Sequence, residues 1–201
     1  MTAVVFDIGN VLIEWDVKAL YRQLLPDDEA IDAFLEETEL LALNIELDRG
    51  LPFEEGIASL AAHHPHHSDL IHAFKDRWAE TLVGPIAGTV AILEALRANA
   101  VPIYAITNFS AETWPIAVDR FSFLGTHFDD VVVSGELGLI KPDPKIYGAL
   151  LSQNGLAPED CFFIDDTLAN VEGARAVGMR AHHFANALDL RRDLIHLGVM
   201  V

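Results

Sequence analysis

The sequence predicts an α/β protein, a Rossmann-like doubly wound parallel sheet with an inserted helical cap. Three observations predict it. From Gly84 onward, short apolar runs rich in β-branched residues alternate with helical stretches, the pattern of a parallel sheet covered by helices on both faces. A run of the same kind, Ala3-Val4-Val5-Phe6, stands alone near the N-terminus. Between them, from Asp16 to about Leu82, no convincing strand occurs, so the helical block interrupts the sheet just after its first strand. The expected division is a Rossmann-like core of residues 1–15 and 83–201 and an inserted helical cap of residues 16–82.

Ala3 to Phe6 is apolar without alternation, as in a strand buried on both faces. It ends in Asp7, followed within three residues by Gly9 and Asn10. Gly and Asn tolerate the left-handed region, so the chain can turn sharply and leave Asp7 at the carboxyl end of the strand. In the helical block, Asp16 caps a helix from Val17 to Leu25, a second runs from about Asp27 to Glu37, and a third spans Leu40 to Leu47. Pro52 with Glu54 and Glu55 marks a helix start. Ser68 caps an amphipathic helix from Asp69 to Leu82, with Leu70, Ile71, Phe74 and Trp78 on one stripe. Counting the stretch Leu40 to Leu47 apart, the block amounts to about four helices.

In the second part, Pro85 opens a helix to about Asn99, and Val101 to Ile106 is a strand. A helix follows from Trp114 to about Phe121, then the strand Val131-Val132-Val133. Pro144 to Gln153 is helical and stopped by Asn154-Gly155. Cys161 to Ile164 is a strand, Leu168 to Val177 a helix, Arg180 to Phe184 a last strand, and Leu188 to Leu197 a closing helix.

Composition bounds the function. The chain has 201 residues, 51% of them hydrophobic, enough for a large core. It contains no run of about 18 apolar residues and no basic, cleavable leader, so neither a membrane span nor a secretory signal is expected. The single cysteine, Cys161, lies in an apolar run as a core thiol and suits a cytoplasmic location. A net charge of −18 argues against nucleic acid or an anionic membrane as partner. An anionic substrate would need a local cation.

The strand ends carry the chemistry: Asp7, Thr107-Asn108, Ser134-Gly135-Glu136 and Asp165-Asp166. In a parallel sheet these ends share one edge, where ligands bind. Crowded carboxylates repel unless a cation neutralises them, and oxygen ligands with a phosphate are how Mg²⁺ is held. Lys141, in Leu139-Ile140-Lys141-Pro142-Asp143-Pro144, adds a positive charge after the third strand. Taken singly, each of these residues is equally compatible with turn chemistry or a solvated surface.

In their order, Asp7 in an FDxGN strand end, Thr107-Asn108, Lys141-Pro142 and Asp165-Asp166 resemble the four motifs of the haloacid dehalogenase-like (HAD) hydrolase superfamily. FDIGNVL, GLIKPDPKIY and FFIDDTLANVEGA look most like its branch of bacterial sugar-phosphate phosphatases, of the α-D-glucose-1-phosphate phosphatase kind. The resemblance implies a Mg²⁺-dependent phosphatase acting on a small phosphorylated metabolite. Asp7 would be the nucleophile, and Mg²⁺ would sit between Asp7, the Gly9 carbonyl and Asp166. The Thr107 hydroxyl and the Asn108 backbone N–H would hold the phosphoryl oxygens, with Lys141 taking up negative charge on them. Asp165 would orient the metal's water or Lys141, and Asn170 would hydrogen-bond behind them. The helical block occupies the position of that superfamily's cap, and Asn44 and Arg49 are candidates to reach a polar substrate.

The sequence departs from the superfamily's usual pattern at Gly9, where most of its phosphatases carry a second Asp that protonates the leaving oxygen. General acid–base help is worth about 10²–10⁴-fold. The sugar-phosphate branch shares this Gly. Glu14 and the cap histidines are conceivable substitutes. Two other readings stay open: a metal-independent haloacid dehalogenase, against which Asp165-Asp166 argues, and a non-catalytic module binding a phosphate ligand or a protein. His63-His64-Pro65-His66-His67 is expected as a solvated inter-helix loop, since Pro65 breaks helical ligand spacing, and Trp114-Pro115 as packing.

Overall fold

The computed structural model describes residues 2–201. Its β1 (Ala3–Phe6) lies at the centre of a sheet and leads through a tight turn into β2 (Ile13–Trp15). The turn is made at Asn10, whose φ of 55° is left-handed, a conformation Asn accepts through its short polar side chain. Its Oδ1 accepts from the Trp15 N–H at 3.1 Å, and its own N–H donates to Ile13 O at 2.7 Å.

The helical block follows as α1 (Val17–Tyr21), α2 (Asp28–Thr38), α3 (Leu40–Asp48), α4 (Phe53–His63) and α5 (Ser68–Asp76). Asp16 caps α1 by accepting from the Lys18 N–H, and Asp27 caps α2 by accepting from the Ala30 N–H. The chain returns through β3 (Leu82–Pro85), then α6 (Ala87–Ala98), β4 (Ile103–Thr107), α7 (Trp114–Arg120), α8 (Phe123–Thr126), β5 (Asp130–Val133), α9 (Ser134–Leu137) and α10 (Pro144–Asn154). It ends with β6 (Cys161–Asp165), α11 (Leu168–Ala176), β7 (Arg180–His183) and α12 (Ala187–His196). No helix among the described residues is long and apolar enough to cross a membrane.

The main sheet is parallel with order β5-β4-β1-β6-β7. Its two faces sort the residues of β1 by parity. Val4 and Phe6 join the larger core cluster with Ile92 and Leu96 of α6 and Leu190 and Leu194 of α12. Ala3 and Val5 join a second cluster with Ile146 and Leu150 of α10 and Ala174 of α11. A strand walled by helices on both sides must be apolar at every position, which explains its unbroken hydrophobic run. The larger cluster continues into the helical block through Ile31, Phe34, Leu47, Ile57 and Phe74.

Four expectations are corrected. The long helix from Asp69 to Leu82 stops at Asp76, and Trp78–Thr81 form a 3₁₀ turn. Here packing overrides helix periodicity: Trp78 is buried edge-on against Phe109, with ring centroids 5.4 Å apart. Ser68 does not cap this helix; it lies in its first turn and makes no capping bond. Pro85 does not open α6 but ends β3, opposite Ile13 of β2 in an antiparallel ribbon. That is an edge position, where a missing N–H is tolerated. The first helix of the block ends at Tyr21, not Leu25, and tight turns lead to Pro26, which disfavours helix at the residue before it. The β2–β3 ribbon, absent from the expected elements, carries both passages of the chain between sheet and helical block.

The helical block also touches the sheet end directly. Gly50, with φ of 107°, packs so closely that an added Cβ would stand 3.0 Å from the Gly135 carbonyl oxygen. A Cβ on Gly135 would stand 2.5 Å from the Ala111 nitrogen. Beside this seam the Ser134 hydroxyl donates to the Asp48 carbonyl at 2.5 Å and accepts from the Phe109 N–H at 2.8 Å.

Candidate active site

Successive connections run outward from β1 through β4 to β5, and then from β6 to β7 on the other side. The order therefore reverses between β1 and β6, and a crevice forms at the carboxyl ends of such strands. Asp7 extends the pairing by one residue, its N–H donating to Ile164 O at 2.8 Å. Its Oδ1 accepts from the Ile8 N–H at 2.7 Å and lies 2.8 Å from Lys141 Nζ. The same ammonium lies 2.7 Å from Asp165 Oδ2 and 5.5 Å from the centre of the Phe163 ring.

Asp165 is fully buried and saturated with donors. Its Oδ1 accepts from the Thr167 N–H at 2.8 Å, and the Asn170 amide reaches both oxygens at 3.1 and 3.2 Å. Asn170 is tied in turn through its carbonyl, which accepts from Tyr147 Oη at 2.8 Å. Asn108 grips the backbone of Lys141: its Oδ1 accepts from the Lys141 N–H at 2.8 Å, and its Nδ2 donates to the Lys141 carbonyl at 3.2 Å. The lysine is thus fixed at both ends. The side chain of Asn108 does this work; the sequence pointed only to its backbone N–H.

Asp7, Asp165 and Asp166 each offer a carboxylate oxygen, and these oxygens lie within 4.8 Å of one another. One ammonium faces three acids. Burial pushes the Asp7 carboxyl up to about 8, against the pull of Lys141 and with the added repulsion of Asp165. Burial and then Asp165 also raise Asp166. For Lys141, burial opposes the charge, but Asp7 and Asp165 together outweigh it and hold the group cationic.

Above this cluster opens a cavity of about 210 Å³. Asp7, Gly9, Asn108, Lys141, Asp166 and Asn170 line its sheet side. Asn44 and Asp48 of α3 enter from the helical block, with Trp15, Trp78 and Phe109 between. Asn44 Nδ2 donates to Asp48 Oδ2 at 2.9 Å. Burial pushes the Asp48 carboxyl up to about 7, while the Ser110 N–H, the Asn44 amide and Lys141 favour its charged form.

The remaining sequence candidates divide. Thr107 is buried at the end of β4 and does not line the cavity; its Oγ1 finds no hydrogen-bond partner among the described residues. Ser134 is turned to the seam with α3, and Glu136 lies on a separate groove beside β5. Arg49 points away and meets Glu46 at 3.5 Å, and neither it nor Glu14 lines the cavity. The histidine tract forms a 3₁₀ turn away from the cavity, where His66 and His67 hold Glu37 at 2.8 and 3.1 Å. Trp114 packs edge-on against Phe109. Asp48 was missed because it ends a helix that carries no signal beyond an ordinary charged surface; only Asn44 and Arg49, on either side of it, stood out as candidates.

Comparisons with known proteins bear on the family and the fold. The chain is 33% identical over 140 residues to phosphoglycolate phosphatase 1 of Pseudomonas aeruginosa, covering 70% of this chain and 47% of that protein. It spans about half the length of this and other curated relatives that it matches. A predicted HAD-like family hydrolase from Porphyromonas gingivalis shares the fold with a TM-score of 0.77 at 24% identity, over 98% of this chain and 97% of that one. A HAD family enzyme from Bacteroides thetaiotaomicron, solved in complex with magnesium and inorganic phosphate, gives 0.72 at 21% identity over 92% and 95%. The model of the haloacid dehalogenase-like hydrolase family matches residues 1–178, and the chain belongs to that family.

Proposed function

We propose that the protein is a Mg²⁺-dependent phosphatase that hydrolyses a small phosphorylated metabolite, a sugar phosphate, through an aspartyl-phosphate on Asp7. The observation that carries this reading is the convergence of Asp7, Asp165 and Asp166 around one lysine at the switch point of the sheet. The residues fit the ion: the donors are hard oxygens, and three carboxylates exceed the charge of a single ammonium. The buried, unpartnered Thr107 hydroxyl supports a further oxygen ligand nearby. Asp7, Asp166 and the Gly9 carbonyl would hold the metal. When bound, Mg²⁺ cancels the repulsion between the nucleophile and the phosphoryl oxygens.

In this reading Asp7 attacks phosphorus, and Lys141 takes up negative charge on the phosphoryl oxygens together with the Asn108 backbone N–H. Asp165 and Asn170 act by fixing Lys141. Residues 16–82 form the cap, which excludes water and sets specificity over a core of residues 1–15 and 83–201. Asn44 and Asp48 can bond hydroxyls while Trp15 and Trp78 offer apolar faces, a lining suited to a sugar. The phosphatase relative from Pseudomonas and the magnesium and phosphate held by the Bacteroides enzyme support the same class. A metal-independent dehalogenase accounts for Asp165, which is bound to Lys141 at 2.7 Å, but leaves Asp166 without a purpose.

The test is a panel of phosphorylated sugars, nucleotides and acyl phosphates. Phosphate release should vanish with EDTA and return with Mg²⁺. Asp7→Asn should lower kcat by about 10⁴-fold or more with the fold retained by circular dichroism, and a rapid quench should trap phosphate on Asp7 in the parent. Full turnover by Asp7→Asn removes the mechanism.

A further inference from the structure

A phosphate ester of an aliphatic alcohol leaves as an alkoxide unless a proton reaches the bridging oxygen as the P–O bond breaks, and proton transfer of this kind requires an acid beside the leaving group. Gly9 has no side chain to provide one. Four titratable groups line the cavity: Asp7, Asp48, Lys141 and Asp166. Asp7 is the nucleophile, Asp166 faces the other acids, and Lys141 is bound to Asp7 and Asp165 at 2.8 and 2.7 Å. Asp48 alone stands outside that network, on the helical side, where the non-phosphate part of a substrate anchored at the strand ends must lie.

We infer that Asp48 is the general acid and base of this site, supplied by the helical block in place of a group at Gly9. The inference rests on the phosphatase reading above. Its position is built: Asn44 Nδ2 holds one carboxylate oxygen at 2.9 Å, and the Asp48 carbonyl is anchored to Ser134 Oγ at 2.5 Å. The second carboxylate oxygen has no side-chain donor among the described residues. Burial raises the carboxyl to about 7, so near neutral pH both protonation states are populated, as an acid that later acts as a base requires.

The steps balance. An Asp7 oxygen bonds to phosphorus, the bond from phosphorus to the alcohol oxygen breaks, and that oxygen keeps the electron pair and takes the proton of Asp48. In the second half, the Asp48 carboxylate accepts a proton from a water whose oxygen bonds to phosphorus. The bond from phosphorus to Asp7 breaks, which returns the carboxylate and frees inorganic phosphate.

The test compares leaving groups. Para-nitrophenol leaves without help, whereas glycerol does not. The parent and Asp48→Asn are assayed with Mg²⁺ on para-nitrophenyl phosphate and on glycerol phosphate. The ratio of kcat/KM for the alkyl ester over the aryl ester is expected to fall by about 10²-fold or more in the variant. Asp48→Ser, which loses the carboxyl in a different shape, should give the same fall. Equal losses on both esters, or no loss, overturn the assignment, and so does a loss on the glycerol ester that lies in KM with kcat unchanged, since that marks binding of the glycerol hydroxyls instead of proton transfer. A parent inactive on both esters with Mg²⁺, and inactive on the wider panel, would instead remove the phosphatase reading itself.

Discussion

At the strand ends, Lys141 meets Asp7 and Asp165 at 2.8 and 2.7 Å with 1% of its side chain exposed. On the helical block, Arg22 meets Asp16 and Asp28 at 2.8 and 3.0 Å with 48% exposed. The distances match, but the consequences differ. Water screens the second set and leaves it worth little. The first set has no water to fall back on, so Lys141 stays cationic only through Asp7 and Asp165. One side of the molecule is thus an over-determined cluster fixed to sheet and backbone, the other a helical surface whose ion pairs are replaceable. In the proposed function, chemistry that must not vary would sit on the first, and the few polar residues that line the cavity from the second would be where specificity can change.

Three experiments break or sharpen this contrast, from large to small. Lys141→Met strands two buried carboxylates against each other and is expected to cost about 3 kcal/mol in urea unfolding without metal. A loss below about 1 kcal/mol would show that the cluster is as soft as the surface. The second is pH. Without metal, burial holds Asp7 up at about 8, above its value in the unfolded chain. Between those values the folded protein keeps a proton that the unfolded chain has released, so this group's contribution falls as pH rises through the window. Urea midpoints in EDTA should therefore be lower at about pH 8 than at about pH 5, and Asp7→Asn should flatten the trend; a steady rise contradicts it. The smallest effect is expected from Arg22→Ala, whose midpoint should match the parent within error, and a clear drop would give the helical surface a role denied to it here.

Much of this site could be read along the chain because strand and acid are adjacent in sequence. An apolar run ending in Asp7, and another ending in Asp165-Asp166, each announce both an element and its functional end. Lys141 was legible only through its motif, since nothing local fixes it; its geometry comes from Asn108, 33 residues away. The β2–β3 ribbon escaped because its strands have three and four residues and are defined by pairing between Ile13–Trp15 and Leu82–Pro85. The break after Asp76 escaped for a related reason: no Gly or Pro marks it, and the burial of Trp78 against Phe109 decides it. Asp48 faces the cavity because Ser134 fixes the end of α3, a contact between residues 86 apart. Local patterns report backbone habits; contacts this distant leave no trace in them.

The seam between Gly50 and Gly135 carries neither charge nor catalytic group, yet it sets how tightly the two halves can shut. A Cβ on Gly50 would stand 3.0 Å from the Gly135 carbonyl oxygen across the seam, so even a methyl group would act as a wedge there. Under the proposed reading of the helical block as a cap, a residue with nothing to contribute but its smallness governs how dry the chamber beneath becomes, and bulk at Gly50 would leave the door ajar.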